Sequence, residues 1–171
     1  MSFFVWLEQT GVSVWVREAP TLWAFPFVLF LHTLGLGVVA GLSVAMNVWI
    51  LKFAERHPVA PLKPFFPIIW VGFTVNLISG LLLLAAYPTK ALTDPVFYLK
   101  IGLIMIALFL LQWMRRKIFV AADPSRPLQP DRRLRFTAAL SIGLWAGAVL
   151  TGRLLAYTYN FLMASDLVAG Y

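Results

Sequence analysis

The stretch that decides the fold is Thr21 to Leu51, TLWAFPFVLFLHTLGLGVVAGLSVAMNVWIL, thirty-one residues without a charged side chain when His32 is neutral. A helix that rises about 1.5 Å per residue would here be about 45 Å long, which exceeds the roughly 30 Å hydrocarbon core of a bilayer. The stretch is therefore predicted to be a transmembrane helix. It contains His32, one of only two histidines in the chain.

The composition of the whole chain agrees with a membrane protein. Of its 171 residues 61% are hydrophobic and 12% are charged, whereas soluble domains carry about 25% charged residues. Cysteine is absent, which excludes disulfides, thiolate metal sites and covalently attached c-type haem. We expect one domain, residues 1–171, and no cleaved signal peptide, because the N-terminus lacks a basic region.

Three further apolar stretches, at about 65–87, 96–114 and 136–163, follow the first one at about 21–51. Residues 2–17 are too short and too polar to cross a bilayer, and they mix aromatic with polar side chains in an amphipathic pattern. The predicted fold class is all-α, an integral membrane four-helix bundle preceded by an N-terminal amphipathic interfacial helix. Small residues predict close helix packing at Gly37/Gly41, at Gly143/Gly147 and at Ser79-Gly80.

The basic residues predict the orientation. The loops after the first and third spans hold ten of the fourteen Lys and Arg residues against three acidic residues, so the whole net charge of +7 lies on one side. By the positive-inside rule these loops are cytoplasmic, and both termini are periplasmic. The high pI of about 10.2 thus reflects topology, and no motif of a nucleic-acid-binding protein is present. Membrane lipids and other membrane or periplasmic subunits are the expected partners.

Three basic side chains fall inside predicted spans at similar depth. Counting about 1.5 Å per residue places Lys100, Arg153 and His32 within about 5 to 8 Å of the outer surface of the hydrocarbon core. No acidic residue is predicted in this layer, and the nearest acids, Asp94, Glu18 and Asp166, lie at the outer interface. One interpretation is that Lys100 and Arg153 reach headgroups or pair with those acids.

The other interpretation is a binding site, because buried charges in membranes usually face the bundle interior and find partners. His32, Lys100 and Arg153 would then bind a haem propionate, a quinone headgroup or a lipid phosphate, with hydrogen bonds from a set of neighbouring polar residues, Asn76, Ser79, Tyr98 and Tyr157. A b-type haem with two histidine ligands is disfavoured because the second histidine, His57, lies in a cytoplasmic loop. A haem would need a different second ligand or none.

Several short motifs resemble a family of small bacterial four-span membrane proteins, known as a domain of unknown function. They are His32-Thr-Leu-Gly35, Phe97-Tyr-Leu-Lys100, Leu144-Trp145 and Gly152-Arg-Leu-Leu-Ala-Tyr157. The resemblance implies a bacterial inner membrane and a special status for His32, Lys100 and Arg153, but no activity. Members of that family often carry a further histidine near the cytoplasmic end of the third span, where this chain has Arg115.

The function expected from these observations is that of a non-catalytic subunit or anchor in a larger membrane assembly, with an electron-transfer complex as one candidate. The chain has long apolar faces and no recognisable catalytic motif. A small transporter or sensor that takes its ligand from the periplasm is the alternative. A transporter should contain interrupted spans near the bilayer centre, and Asn76 to Gly80 is the one stretch that hints at such a break.

Overall fold

The computed structural model describes residues 9–119 and 125–169, and for Val12, Thr89, Lys90 and residues 156–169 it describes the backbone alone. This part of the chain is helical and contains no strand. The helices, in chain order, are α1 (Gly11–Glu18), α2 (Phe25–Lys52), α3 (Phe65–Ala86), α4 (Pro88–Thr93), α5 (Pro95–Phe119) and α6 (Arg132–Ala169), with a 3₁₀ turn at Ala60–Leu62.

Four of these helices are long and apolar enough to cross a membrane, which confirms the predicted number of spans. The apolar segments are Phe25–Lys52, Ala60–Ala86, Pro95–Phe119 and Arg132–Leu155, with mean hydropathies between 1.5 and 2.2. Within the most apolar 18 residues of each segment, only 22 to 28% are buried inside the bundle. Many of the remaining apolar side chains are exposed, as expected where a membrane protein meets lipid.

The helix ends differ from the predicted ends for physical reasons. Helix α5 continues through Arg115, Arg116 and Lys117 to Phe119, because basic residues end an apolar stretch but are good helix formers. The predicted loop at 88–95 contains the short helix α4, which begins with Pro88, a residue well suited to a first helical turn.

Helices α2 and α3 approach each other closely at Gly35. A Cβ atom added to Gly35 would lie 2.7 Å from the backbone N of Asn76 and 2.8 Å from the carbonyl O of Gly72. Glycine is required at Gly35 because the facing atoms belong to the backbone of α3 and have no rotamer to change. The α2–α3 pair is therefore held at a distance that only a missing side chain allows.

The predicted packing glycines are used unequally. Gly80 faces His32, and Gly147 faces Leu103. An added Cβ atom on Gly37, Gly41 or Gly143 would meet nothing within 4 Å. The G-x-x-x-G pair of α2 therefore lies on the outside of the bundle, and the intramolecular contact is made by Gly35, two residues earlier.

Helix α6 packs along both α5 and α2, whereas α5 forms no comparably long contact with α2 or α3 in the described chain. The two helix pairs α2–α3 and α5–α6 are thus joined mainly through α2 and α6. Trp145 of α6 is 1% exposed in the resulting core.

Helix α1 packs against the end of α3. Its Ser13 and Val16 side chains are fully buried, and the Ser13 hydroxyl donates a hydrogen bond of 2.8 Å to the carbonyl O of Ala85. Trp15 is 49% exposed. Helix α1 covers the second half of the predicted interfacial helix, and the first residues of that prediction lie outside the described part of the chain.

The basic end is our name for one end of the bundle, at which α2 and α5 end and α3 and α6 begin. The two loops meet there, since the backbone N–H of Leu128 donates to the carbonyl O of Ala54 at 2.8 Å. An ion pair between Arg135 and Glu55 adds a second link. The two helix pairs are therefore tied together at this end by loop contacts as well as by packing.

Asp131 caps α6 at the basic end. It accepts a hydrogen bond of 2.9 Å from the backbone N–H of Leu134 and forms an ion pair with Lys117 at 2.7 Å. The Lys117 hydrogen bond, supported by that of the Leu134 N–H, lowers the pKa of Asp131 from its usual value of 3.8. The cap thus fixes the start of α6 against the last turn of α5.

Candidate functional site

His32 lies on the face of α2 that packs against α3. Its Nδ1 atom is 3.0 Å from the backbone carbonyl O of Asn76. Because a carbonyl oxygen only accepts hydrogen bonds, this contact assigns the proton to Nδ1. It is shorter than the 3.3 Å between Nδ1 and the amide nitrogen of Asn76, which would suit the other tautomer. The other ring nitrogen, Nε2, is then left with a lone pair that faces away from α3.

Neighbouring groups of α3 hold the imidazole ring in place. The Asn76 side-chain amide donates to the backbone carbonyl of His32 at 2.7 Å, and the Ser79 hydroxyl lies 3.4 Å from Nδ1. Gly80 provides space, since an added Cβ atom would lie 3.0 Å from Cε1 of the ring. The ring orientation is therefore set by several contacts with one helix.

Lys100 reaches the ring from the other helix pair. Its Nζ atom is 3.3 Å from Nε2 of His32, and the end of its side chain lies 3.7 Å from the position of a Cβ atom on Gly152. All four spanning helices thus contribute to one layer, with His32 from α2, Asn76 from α3, Lys100 from α5 and Gly152 from α6. We call these four residues the His–Lys site.

The contacts of the His–Lys site accommodate one positive charge. A protonated Lys100 can donate to Nε2 only when the imidazole is neutral, and the Nδ1 contact requires that tautomer. The repulsion expected between two basic groups is thereby avoided without an acid. Two of the three acids expected as counter-ions have other contacts, since Asp94 accepts from the backbone N–H of Val96 at 2.8 Å and Glu18 pairs with Arg17 at 3.0 Å. The side chain of the third, Asp166, lies outside what the structure describes.

Three of the seven predicted site residues, Arg153, Tyr157 and Tyr98, are not placed in this site by described side chains. The Arg153 side chain is exposed, and it takes no part in the hydrogen bonds that join His32, Asn76 and Lys100. The Tyr157 side chain lies outside what the structure describes. Tyr98, another predicted partner, is 57% exposed and donates its hydroxyl hydrogen bond to the carbonyl O of Leu92.

Two contributors were missed by sequence reasoning, Gly152 as a site residue and Gly80 as the residue that makes room for His32. The signal for Gly152 was its place beside Arg153, at the depth already counted for Lys100. The signal for Gly80 was the predicted packing step at Ser79-Gly80. In both cases the missing information was which helix each glycine would face.

The chemistry available here is that of one ammonium donor beside one imidazole acceptor. Lys100 has N–H groups beyond the one directed to His32, and these suit a carbonyl or anionic oxygen. The described residues contain no cluster of three His, Asp or Glu side chains that could hold a metal ion. His57 lies at the basic end, 6.1 Å from the Trp49 ring, far from the His–Lys site along α2.

The hydrogen bond of His32 Nδ1 to a backbone carbonyl is also found in histidines that ligate metals, where it orients the ring. A haem iron at Nε2 would compete with Lys100 for the same lone pair. A ligand that accepts from Lys100 requires no such displacement. The arrangement therefore fits an oxygen-bearing ligand better than an axially ligated haem.

Comparisons of the chain with protein-family models, with curated proteins and with solved structures find no match.

Proposed function

We propose that this protein is a non-catalytic, multi-pass subunit or anchor of a larger membrane assembly, and that its His–Lys site binds a ligand through a carbonyl or phosphate oxygen. The observation that carries the proposal is the contact inside the bundle between Lys100 Nζ and Nε2 of the His32 imidazole, at 3.3 Å. A charge at this depth is expensive, and an ionisable residue inside a membrane span is by default a candidate functional residue.

A quinone headgroup makes use of both members of the pair. Lys100 would donate to a quinone carbonyl, and the Nε2 lone pair of His32 would accept a hydrogen bond from the hydroxyl of the reduced form. A lipid phosphate would use Lys100 alone. This difference supports the quinone, and with it an electron-transfer assembly.

The outer surface supports a role as a subunit. Gly37 and Gly41 leave a shallow apolar groove on α2, lined also by Phe30, Leu34 and Ile68. Small residues of this spacing let a second transmembrane helix approach closely. We infer that a helix of a partner subunit packs there, and that α1 with the preceding residues forms the predicted interfacial helix on which a periplasmic partner docks.

The location of the site follows from the topology inferred from charge. The basic end is placed in the cytoplasm by the positive-inside rule, so the His–Lys site lies in the periplasmic leaflet and both termini are periplasmic. The resemblance to small bacterial four-span proteins supports the inner membrane. Reporter fusions at Arg126 and at the C-terminus test this orientation, which a cytoplasmic C-terminus would contradict.

The ligand is tested with protein purified from membranes in mild detergent. We expect bound quinone in a solvent extract, its amount reduced at least tenfold in Lys100→Met and retained in Arg153→Gln, the matched control with an exposed cation. A Soret band lost in His32→Ala would establish haem instead. Phospholipid retained through purification and released in Lys100→Met would establish a lipid site.

The partner is tested independently of the ligand. Gly41→Leu fills the groove, and Gly143→Leu is the control on the surface of α6, since neither residue has an atom within 4 Å of an added Cβ. We expect a co-purifying subunit to be lost in Gly41→Leu alone. A homogeneous monomer from wild-type membranes would refute the assembly.

The alternative of a transporter or sensor has less support. Helix α3 is continuous from Phe65 to Ala86, so the stretch from Asn76 to Gly80 contains no break of the kind expected at a transport site. Uptake of a ligand into proteoliposomes that stops in Lys100→Met would favour this alternative over the anchor.

A further inference from the structure

A second group of buried polar side chains lies between α2 and α6, away from the His–Lys site. Ser43 and Asn47 are one turn apart on α2, and Ser141 and Trp145 are one turn apart on α6. The three polar residues are fully buried and Trp145 is 1% exposed. The Asn47 amide donates to the Ser141 hydroxyl at 3.0 Å, which sets the register of the two helices.

This register places the residues that carry the remaining polar atoms within one helical turn of each other. Because α2 and α6 run in opposite directions, the residues one turn beyond the Asn47–Ser141 pair, Ser43 and Trp145, stand at the same level. Ser43 Oγ, Asn47 Oδ1 and Trp145 Nε1 are all buried and have no hydrogen-bond partner among the described residues. Such groups are rare in proteins because each one costs its full desolvation.

The Ser43 hydroxyl makes no hydrogen bond to its own helix. Several other helical hydroxyls in the described chain donate to the carbonyl four residues earlier, as Ser79 does to Val75 O at 2.6 Å and Thr151 does to Gly147 O at 2.9 Å. A helical serine can form that bond, so the Ser43 hydroxyl is a donor that is left for another partner between α2 and α6.

We propose that a water molecule is bound between α2 and α6, where it accepts hydrogen bonds from Trp145 Nε1 and from the Ser43 hydroxyl and donates to Asn47 Oδ1. The three atoms comprise one obligate donor, one obligate acceptor and one hydroxyl. A cation does not suit the Trp145 N–H, and an anion does not suit Asn47 Oδ1. Water does both and finds the usual number of about three partners.

The site lies deep in the bundle. Ser43 is nine residues from the end of α2 at Lys52, or about 13 Å along the helix. Apolar side chains close it toward the basic end, among them Ile50 and Leu134, both 2% exposed. The water is therefore internal, and it exchanges with bulk water only when the packed contact between α2 and α6 opens.

The first test is a high-resolution map of the full chain in lipid. We expect a density peak within hydrogen-bond distance of Trp145 Nε1 and Asn47 Oδ1. A map that shows Ser43 Oγ turned onto the carbonyl of Val39, with no bridging peak, would overturn the proposal.

The second test uses nuclear magnetic resonance of ¹⁵N-indole-labelled protein in nanodiscs. The wild type should show a water cross-peak at the Trp145 indole N–H, assigned through its loss in Trp145→Phe. We expect the peak to fall at least tenfold in Asn47→Leu and in the smaller change Ser43→Ala. Thr151→Val, which removes a buried hydroxyl bonded to its own helix, should leave it unchanged. A wild-type indole without the cross-peak, or a peak that persists in both variants, would refute the bound water.

Discussion

Replacing Gly35 with alanine should separate α2 from α3. The added Cβ atom would lie 2.7 Å from the backbone N of Asn76, whereas ordinary contacts begin near 3.4 Å. Restoring an ordinary contact moves the helices apart by about 0.7 Å, and because backbone atoms cannot change rotamer the cost should reach the upper end of overpacking, about 3 kcal/mol.

Gly37→Ala is the matched control two residues away on the same helix. Its Cβ atom would meet nothing within 4 Å, so the free energy of unfolding should stay within about 0.5 kcal/mol of the wild type. Unfolding titrations in mixed micelles, followed by circular dichroism, measure both values. Equal effects of the two substitutions, in either direction, would refute the assignment of Gly35 to the α2–α3 contact.

The same substitution should also disturb the His–Lys site. His32 lies one turn from Gly35, and its Nδ1 contact with Asn76 O is 3.0 Å. A separation of about 0.7 Å would take this contact past the roughly 3.2 Å limit of a good hydrogen bond. The ¹⁵N spectrum of the His32 ring should then show a mixture of tautomers in Gly35→Ala and the Nδ1–H form alone in the wild type.

Three shorter predictions concern other contacts. Lys100→Met should keep the fold and melt at the same temperature as the wild type or higher, because an apolar side chain replaces a costly buried charge; a large loss in thermal melts would show that Lys100 is needed for folding. Asp131→Asn should lower the melting temperature at neutral pH. This difference in melting temperature should vanish as the pH falls through the folded-state pKa of Asp131, which lies below the usual 3.8. The reason is that the stabilisation from a lowered carboxyl pKa is complete above the unfolded-state pKa and lost below the folded-state pKa. A difference that persists in acid melts would contradict the cap. Ser13→Ala should remove the bond to Ala85 O at a cost of about 1 kcal/mol and speed trypsin cleavage at Arg17, an effect absent from Thr137→Ala.

The sequence predicted the spans and the depth of the polar residues because both depend on distance along a helix. Apolar length gave four spans, and a rise of about 1.5 Å per residue placed His32 and Lys100 in one layer before any contact was known. Rotation about the helix axis is set by packing partners that are distant in sequence. Arg153 was therefore predicted at the depth of Lys100, yet its side chain is exposed.

The glycines show the same difference between depth and rotation. G-x-x-x-G is visible at Gly37 and Gly41 as a spacing, but a spacing does not say whether the face meets another span or the outside. Gly35 was the contact residue, and its partner Gly72 belongs to no G-x-x-x-G motif in α3. Asn47 and Ser141 likewise lie 94 residues apart, and only the fold brings them together.

The loop contacts at the basic end of the bundle have a mechanical consequence. At the basic end the loops are joined by the Leu128–Ala54 hydrogen bond. This link holds the end of α5 in place, so any tilt of α5 would pivot about the basic end. Lys100 lies nineteen residues before the end of α5 at Phe119, a lever arm of about 28 Å. A tilt of α5 by only about 5° about this fixed end would move the Lys100 backbone by about 2.5 Å and break its contact with His32. A ligand that competes for Lys100 would thus allow the Lys100 end of α5 to move while the Phe119 end stays fixed at the basic end.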